Sequence, residues 1–493
     1  MRRHIPVLAA ALLGILLSGC GGSGETLDDK LQNKVQHIVV IYGENRSFDN
    51  LYGNFPGANG LANAQATMTQ ADRDGSVLAM LPPTWGGMTA NVPQAATVNL
   101  PNKAFRVDDP SGFNQPITVT TRDLVHRFYN EQMQIDGGKM DRFAAWTDAG
   151  GLTMGTYNGS NMAMYKLAQQ YALADNFFIG AFGGSFLNHF WLICACTPVY
   201  PNAASSVAAS RISAVEADGV TLKVAPDSPA SALQGPPKFV NDNTLTPDGF
   251  AVNTMQPPYE PSGNAPASGG NAALADPANS TTLPPQALKT IGDTLTAKGV
   301  TWAWYAGAWS QASSDRSVIY NNTVPNFQAH HQPFNYFARF APGTADRTTY
   351  LKDYTDLTAA IDAGTLPAVS FYKPQGNLNQ HPGYADVADG DQHIADVVNR
   401  IKASKLWDST VIIVTYDENG GFWDHVSPPK GDRWGPGQRV PTIVIAPFAK
   451  MGYVDHTQYD TTSILAFITR RFGLDPLPGV RTNMGDLTNT LDF

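Results

Sequence analysis

Val35-Gln36-His37-Ile38-Val39-Val40-Ile41-Tyr42 is a short β-branched run that stops at Gly43 and is followed at once by Glu44-Asn45-Arg46-Ser47-Phe48-Asp49. An apolar run of this length without polar alternation reads as a strand buried on both faces, with its C-terminal end opening into a loop. Three further runs read the same way: Ala368 to Tyr372, Thr410 to Tyr416 and Val440 to Ala446. Amphipathic helices lie between them. Met164, Leu167, Ala168 and Tyr171 fall at helical spacing, and Ile464, Phe467 and Ile468 follow the cap cluster Asp460-Thr461-Thr462-Ser463 and precede Gly473. Continuous apolar strands alternating with helices predict an α/β fold with a mainly parallel central sheet flanked by helices. In such sheets chemistry gathers at the strand C-termini.

The chain has 493 residues, enough for one large catalytic unit or two domains, and 43% of them are hydrophobic against 15% charged. That excludes a disordered polyelectrolyte and a coiled coil. The formal net charge is −9 with no basic tract, which argues against nucleic acid as a partner. Between 201 and 290 lie 13 of the 35 prolines, amid Ala, Ser, Thr, Asn and Gly with almost no apolar period. This segment reads as a Pro/Ala-rich insertion or cap over the core, or otherwise as a linker. No internal repeat is visible.

At the N-terminus, Arg2-Arg3, the apolar stretch Ile5 to Leu17 and Leu17-Ser18-Gly19-Cys20 form a lipoprotein-type signal with Cys20 as the lipidated residue. The alternative is an ordinary secretory signal, and either makes the protein exported, periplasmic or outer-membrane-associated. No later segment is long and apolar enough to span a bilayer, so membrane attachment would be through the lipid alone. The predicted organisation is a signal over 1–20, a flexible tether over 21–33 and a catalytic domain over 34–493. The remaining cysteines, Cys194 and Cys196, are expected to be buried free thiols, because side chains two apart on a helix diverge. CxC alone supplies too few ligands for zinc.

Glu44-Asn45 after the first strand and Asp417-Glu418-Asn419-Gly420-Gly421 after the run ending at Tyr416 place acidic and amide oxygens at equivalent strand ends. Either pair alone reads equally well as a turn or helix start, but two pairs on parallel strands converge. The resulting oxygen-rich set suits a hard divalent cation, Ca²⁺, Mg²⁺ or Mn²⁺, with Zn²⁺ left open. In Phe182-Gly183-Gly184-Ser185-Phe186-Leu187-Asn188-His189 a serine opens a helix after two glycines. There backbone can approach an anion and the hydroxyl sits in the positive field of the helix start; the plain alternative is an N-cap serine. Neither GxSxG nor a P-loop fits these residues. His126, the pair His330-His331 and His381 lie near turns, where imidazoles can neutralise phosphate oxygens and protonate a leaving alkoxide.

Taken together, Glu44 to Asp49, Gly183 to His189 and Tyr416 to Pro429, with Asp136-Gly137-Gly138-Lys139-Met140-Asp141 and His330-His331-Gln332-Pro333-Phe334, resemble the bacterial phospholipase C / AcpA-type acid phosphatase (phosphoesterase) family from about His37 to Phe472. The resemblance implies an alkaline-phosphatase-like fold. It also implies a metal held by Glu44, Asn45, Ser185, Asp417 and Glu418, with Ser185 as nucleophile and His126, His330 or His331, and His381 around the phosphate. Phospholipases C of this family look Thr-centred with Pro-Asn-Arg after the nucleophile; Ser185 followed by Leu187-Asn188-His189 tilts the chain toward the acid phosphatase branch. The expected function is hydrolysis of small phosphomonoesters at acidic pH through a phosphoserine. The alternatives are a phospholipase C cleaving phosphodiesters and meeting phospholipid headgroups, and, more remotely, a non-catalytic surface-binding lipoprotein.

Overall fold

The computed structural model describes residues 25–493, and the signal segment with Cys20 lies outside them. The chain builds an eight-stranded sheet from β1 (His37–Gly43), β2 (Ala172–Ala174), β3 (Trp302–Ala306), β4 (Leu351–Asp353), β5 (Val369–Lys373), β6 (Thr410–Tyr416), β7 (Thr442–Ile445) and β8 (Tyr453–Asp455), in spatial order β8-β2-β7-β6-β1-β5-β3-β4. From β6 across to β4 every pairing is parallel. The predicted mainly parallel α/β fold is therefore observed. The β-branched run explains why β1 is central: Ile38, Val39, Val40 and Ile41 are all fully buried.

β7 differs from the expectation, because it runs antiparallel to β6 and to β2. The physical reason lies in its connection. Residues 417–441, which join β6 to β7, contain no helix to carry the chain back over the sheet, as a parallel return usually does.

The helices that position the site are α1 (Leu27–Lys34), α2 (Phe128–Ile135), α3 (Ala163–Gln170), α4 (Ser185–Cys194), α5 (Val387–Lys402) and α6 (Thr461–Phe472). Helix α6 starts on the Asp460 cap and ends at Gly473 in the left-handed region, as its sequence predicts. Within the stretch 21–33 expected to be a flexible tether, residues 27–33 instead form, with Lys34, a helix with a Thr26/Asp29 capping box; Leu31 is fully buried and the helix packs on α6. Helix α3 begins without a side-chain cap of its own. Asp391 of α5 supplies one across the fold, accepting from Ala163 N at 2.5 Å and Met164 N at 3.1 Å.

Cys194 and Cys196 are joined in a disulfide, which corrects the expectation of free thiols. Helix α4 ends at Cys194 and Ala195 turns left-handed at φ 46°. The chain doubles back, and the two Cα atoms lie 5.1 Å apart instead of diverging along a helix. The proline-rich stretch contains no regular element beyond two short 3₁₀ turns, at Ala203–Ser205 and Ala209–Arg211. It is nonetheless anchored on the main core by Leu222, Leu245, Val252 and Leu283, each fully buried.

Candidate active site

Three adjacent strands deliver the charged groups. In β1 and β6 Gly43 is level with Tyr416, so Glu44-Asn45 and Asp417-Glu418 emerge side by side. Glu44, Asn45, Asp417 and Glu418 are fully buried. Asn45 takes the left-handed conformation at φ 59°, which bends the chain sharply at the strand end and is tolerated best by Asn among non-glycine residues. Its N–H donates to Asp417 Oδ1 at 3.3 Å.

Ser185 is the first residue of α4 and only 4% exposed. Its Oγ lies 3.4 Å from each of Glu44 Oε2, Asn45 Oδ1 and Glu418 Oε1. The turn before it requires its two glycines. Gly183 has φ +91°, and a Cβ there would meet Phe128 N at 2.5 Å; at Gly184 a Cβ would meet His126 O at 2.8 Å. Asn188 locks the same turn from inside the helix, its Oδ1 accepting from Ala181 N at 2.9 Å and its Nδ2 donating to Ala181 O at 3.0 Å and Gly183 O at 3.2 Å.

Two buried side chains escaped the sequence reading. Lys373, the last residue of β5, puts Nζ 2.5 Å from Glu44 Oε1, 3.5 Å from Asp417 Oδ2 and 3.2 Å from Gly43 O. His189, one turn into α4, bonds Ser185 O through Nδ1 at 2.7 Å and stacks on His331 with ring centroids 4.9 Å apart. His331 Nε2 in turn lies 2.9 Å from Glu44 Oε1.

Of the pair at 330–331, His331 therefore faces the acidic pit, whereas His330 bonds the Tyr320 hydroxyl through Nδ1 at 2.8 Å and lines the cavity above. His126 and His381 line that cavity too, edge to face at 5.6 Å. His126 is fixed by Leu124 O at 2.6 Å and brings Nε2 to 3.6 Å from Glu418 Oε1. His381 stacks on Tyr384 at 4.3 Å. The cavity measures about 890 Å³; Ser185 lies at its floor, and Trp146, Phe239 and Asp242 form part of its wall.

The electrostatics follow from burial and counter-charge. Burial alone would raise Glu44, but His331 and the Lys373 ammonium outweigh it and hold the carboxyl well below the usual range. Burial, then repulsion from Glu44, pushes Asp417 up to about 7. Glu418 is also raised well above the ordinary value, chiefly by burial. Burial opposes charge on His126, yet the carboxylates of Glu418 and Asp123 raise it to about 9, while burial takes His331 down to about 4. One ammonium is thus shared between Glu44 and Asp417 while His126 faces Glu418, and Asp417 and Glu418 are held toward the neutral form. The donor set of carboxylate, amide and hydroxyl oxygens fits a divalent cation, which would join those carboxylates as anions.

A second buried cluster, Asp49, Asp424 and His425, also groups possible ligands. Arg439 already fills it, fully buried, with Nε 3.1 Å from Asp424 Oδ1 and Nη2 3.3 Å from Asp49 Oδ1. His425 Nδ1 lies 2.6 Å from Asp49 Oδ2. This network clips the short helix Phe48–Tyr52 to the loop after β6.

The model of the Phosphoesterase family matches residues 35–475 of this chain. Phospholipase C B of Mycobacterium tuberculosis is 24% identical over 498 residues, covering 93% of this chain and 78% of that protein. The non-hemolytic phospholipase C of Pseudomonas aeruginosa is 28% identical over 236 residues, covering 40% of this chain and 34% of that protein. Among solved structures, a protein of the alkaline phosphatase superfamily from Vibrio parahaemolyticus aligns over 76% of this chain and 71% of its own, with 11% identity and a TM-score of 0.34.

Proposed function

The chain belongs to the Phosphoesterase family and is a phosphoric ester hydrolase, and on that premise we propose that it is an acid phosphatase that hydrolyses phosphomonoesters through a phosphoserine on Ser185. The observation that carries this reading is the position of Ser185 Oγ, equidistant from three ligand-type oxygens at the floor of a cavity lined by His126, His330 and His381. Glu44, Asn45, Ser185 and Glu418, with Asp417 behind them, would hold one divalent cation, whose chemistry is to lower the serine pKa and to offset charge on the phosphoryl oxygens.

The chain's own groups do the rest. Ser185 Oγ attacks phosphorus in line while the helix start behind it favours the anion. His126, His330 and His381 face the non-bridging oxygens, and a proton from His381 or His126 goes to the departing alcohol. Water then attacks the phosphoserine with the same groups in place. Glu418 and Asp123 keep His126 charged through neutral pH, whereas burial lowers His330 and His381, so the charge those two lend the phosphate is present at acidic pH and is lost as pH rises.

A second reading, phospholipase C acting on phosphodiesters, is favoured by the names of the relatives and by one feature of the cavity wall. Trp146 and Phe239 lie 6.1 Å apart in the wall that also carries Asp242, a combination that suits a quaternary ammonium headgroup.

The test pairs p-nitrophenyl phosphate with p-nitrophenylphosphorylcholine from pH 4 to 9 on wild type and Ser185→Ala, with elemental analysis of the purified protein. Preference for the monoester below pH 7, lost in Ser185→Ala, supports the proposal. Preference for the diester selects the second reading, and wild-type turnover by Ser185→Ala overturns the phosphoserine.

Among the described residues no helix is long and apolar enough to cross a membrane. We read the enzyme as exported and anchored through lipid on Cys20, with the 201–290 segment capping the cavity. Release of the chain from membranes by Cys20→Ser tests the anchor.

A further inference from the structure

Glu131 lies outside every motif discussed so far. It sits on α2, five residues after His126, with 1% of its surface exposed, and among the described residues no Lys or Arg side chain pairs with it. Both of its oxygens are used. Oε2 accepts from the N–H of Gly183, in the turn that presents Ser185, and Oε1 accepts from Gln438 N at 2.8 Å.

The Gln438 side chain carries the link onward. Its Oε1 accepts from Asn419 Nδ2, and Asn419 follows Glu418 directly and also donates to Phe422 O at 3.1 Å. One buried carboxylate therefore ties the nucleophile turn to the turn of the second acidic pair, whose Glu418 lies 3.4 Å from Ser185 Oγ. Burying a carboxylate without a cation is costly, and two backbone N–H donors only partly offset it. Burial leaves its carboxyl raised to about 7, the mark of that cost. A carboxylate retained at such expense between two active-site turns is a candidate for function, not merely for stability.

We propose that Glu131 is a positioning residue, which holds the Gly183-Gly184 turn and the Glu418-Asn419 turn at one fixed separation and so sets Ser185 Oγ for in-line attack. The proposal rests on the reading of Ser185 as nucleophile. Glu131 does not line the cavity and is buried, so it would act through the two turns it holds and not by touching substrate. Its loss acts on the chemical step more than on binding.

The experiment compares Glu131→Gln, Glu131→Asp and Ser185→Ala in the metal-loaded full chain, with kcat and KM for p-nitrophenyl phosphate, melting temperature and metal content per folded molecule. Gln has one acceptor oxygen where two N–H groups need one each, and Asp is one methylene too short to reach both turns. Glu131→Gln is expected to lower kcat by about 10-fold or more with KM within about 2-fold of wild type. Glu131→Asp, which keeps the charge, should recover no more than part of that loss. Wild-type kcat in Glu131→Gln, or a loss that follows the unfolded fraction alone, would overturn the proposal even with Ser185→Ala inactive. Turnover by Ser185→Ala would overturn the nucleophile instead. Where Glu131→Gln fails to fold, Gln438→Leu breaks the same link from its other end, and unchanged kcat there is equally fatal.

Discussion

Lys373 Nζ and Glu44 Oε1 are 2.5 Å apart, both closed off from solvent, one at the end of β5 and the other just past the end of its neighbour β1. The ammonium also leans over the Tyr42 ring at 5.1 Å. It is the sole Lys or Arg side chain in ion-pair contact with the acidic pit among the described residues.

Lys373→Met should leave Glu44 and Asp417 without the ammonium between them, with His126 still beside Glu418. Breaking a buried pair from one side costs about 3–5 kcal/mol. We expect the metal-free variant to unfold at clearly lower denaturant than metal-free wild type, and a divalent cation to restore much of the difference. Equal midpoints for the two metal-free proteins would contradict the role assigned to Lys373.

Gly183→Ala places a methyl 2.5 Å from Phe128 N on a backbone at φ +91°. Left-handed strain and the clash cost at least about 1–3 kcal/mol, which the turn relieves by moving Ser185. The expected result is a fall in kcat of about 10-fold or more. Steady-state kinetics on the folded variant decides it, and an unchanged kcat would show that the turn tolerates displacement.

Asp391 carries a pH signature. Burial raises its carboxyl to about 6 although it accepts from Ala163 N and Met164 N. The folded state therefore holds this proton more tightly than the unfolded chain does, whose carboxyl titrates near 3.8. The stabilisation is fully present below pH 3.8 and is lost as pH rises through about 6, a change of about 3 kcal/mol at most. In Asp391→Asn that component disappears, so the difference in unfolding free energy between the two proteins should drift between pH 4 and 7. A constant difference would rule the assignment out.

The disulfide closes a loop of three residues, for which chain entropy predicts only about 1.5 kcal/mol. Cys194→Ala with Cys196→Ala should therefore lower stability by about that much and leave turnover within about 2-fold. Equilibrium unfolding with and without reductant measures it. A loss several times larger would mean that the bridge holds α4 in place.

The parts of the site legible in the sequence are those where one residue type dominates a run. The β-branched stretches announce β1 and β6, and because strand ends carry the chemistry in parallel sheets, Glu44-Asn45 and Asp417-Glu418 could be picked out. Ser185 was found through its paired glycines. Lys373 was not, because a lysine one step beyond an apolar run looks like a strand surfacing into water. Glu131 is one polar residue on a short helix, indistinguishable by pattern from a solvent-facing one. The disulfide hid behind a helix stop that uses Ala195 instead of glycine, and the reversed direction of β7 depends on what its connection lacks.

The position of Lys373 on β5 also bears on the order of assembly. Its positive charge is covalently part of a central strand, so it arrives whenever that strand pairs, with no dependence on what ions the surroundings contain. Closing the sheet therefore needs no bound cation to supply that charge.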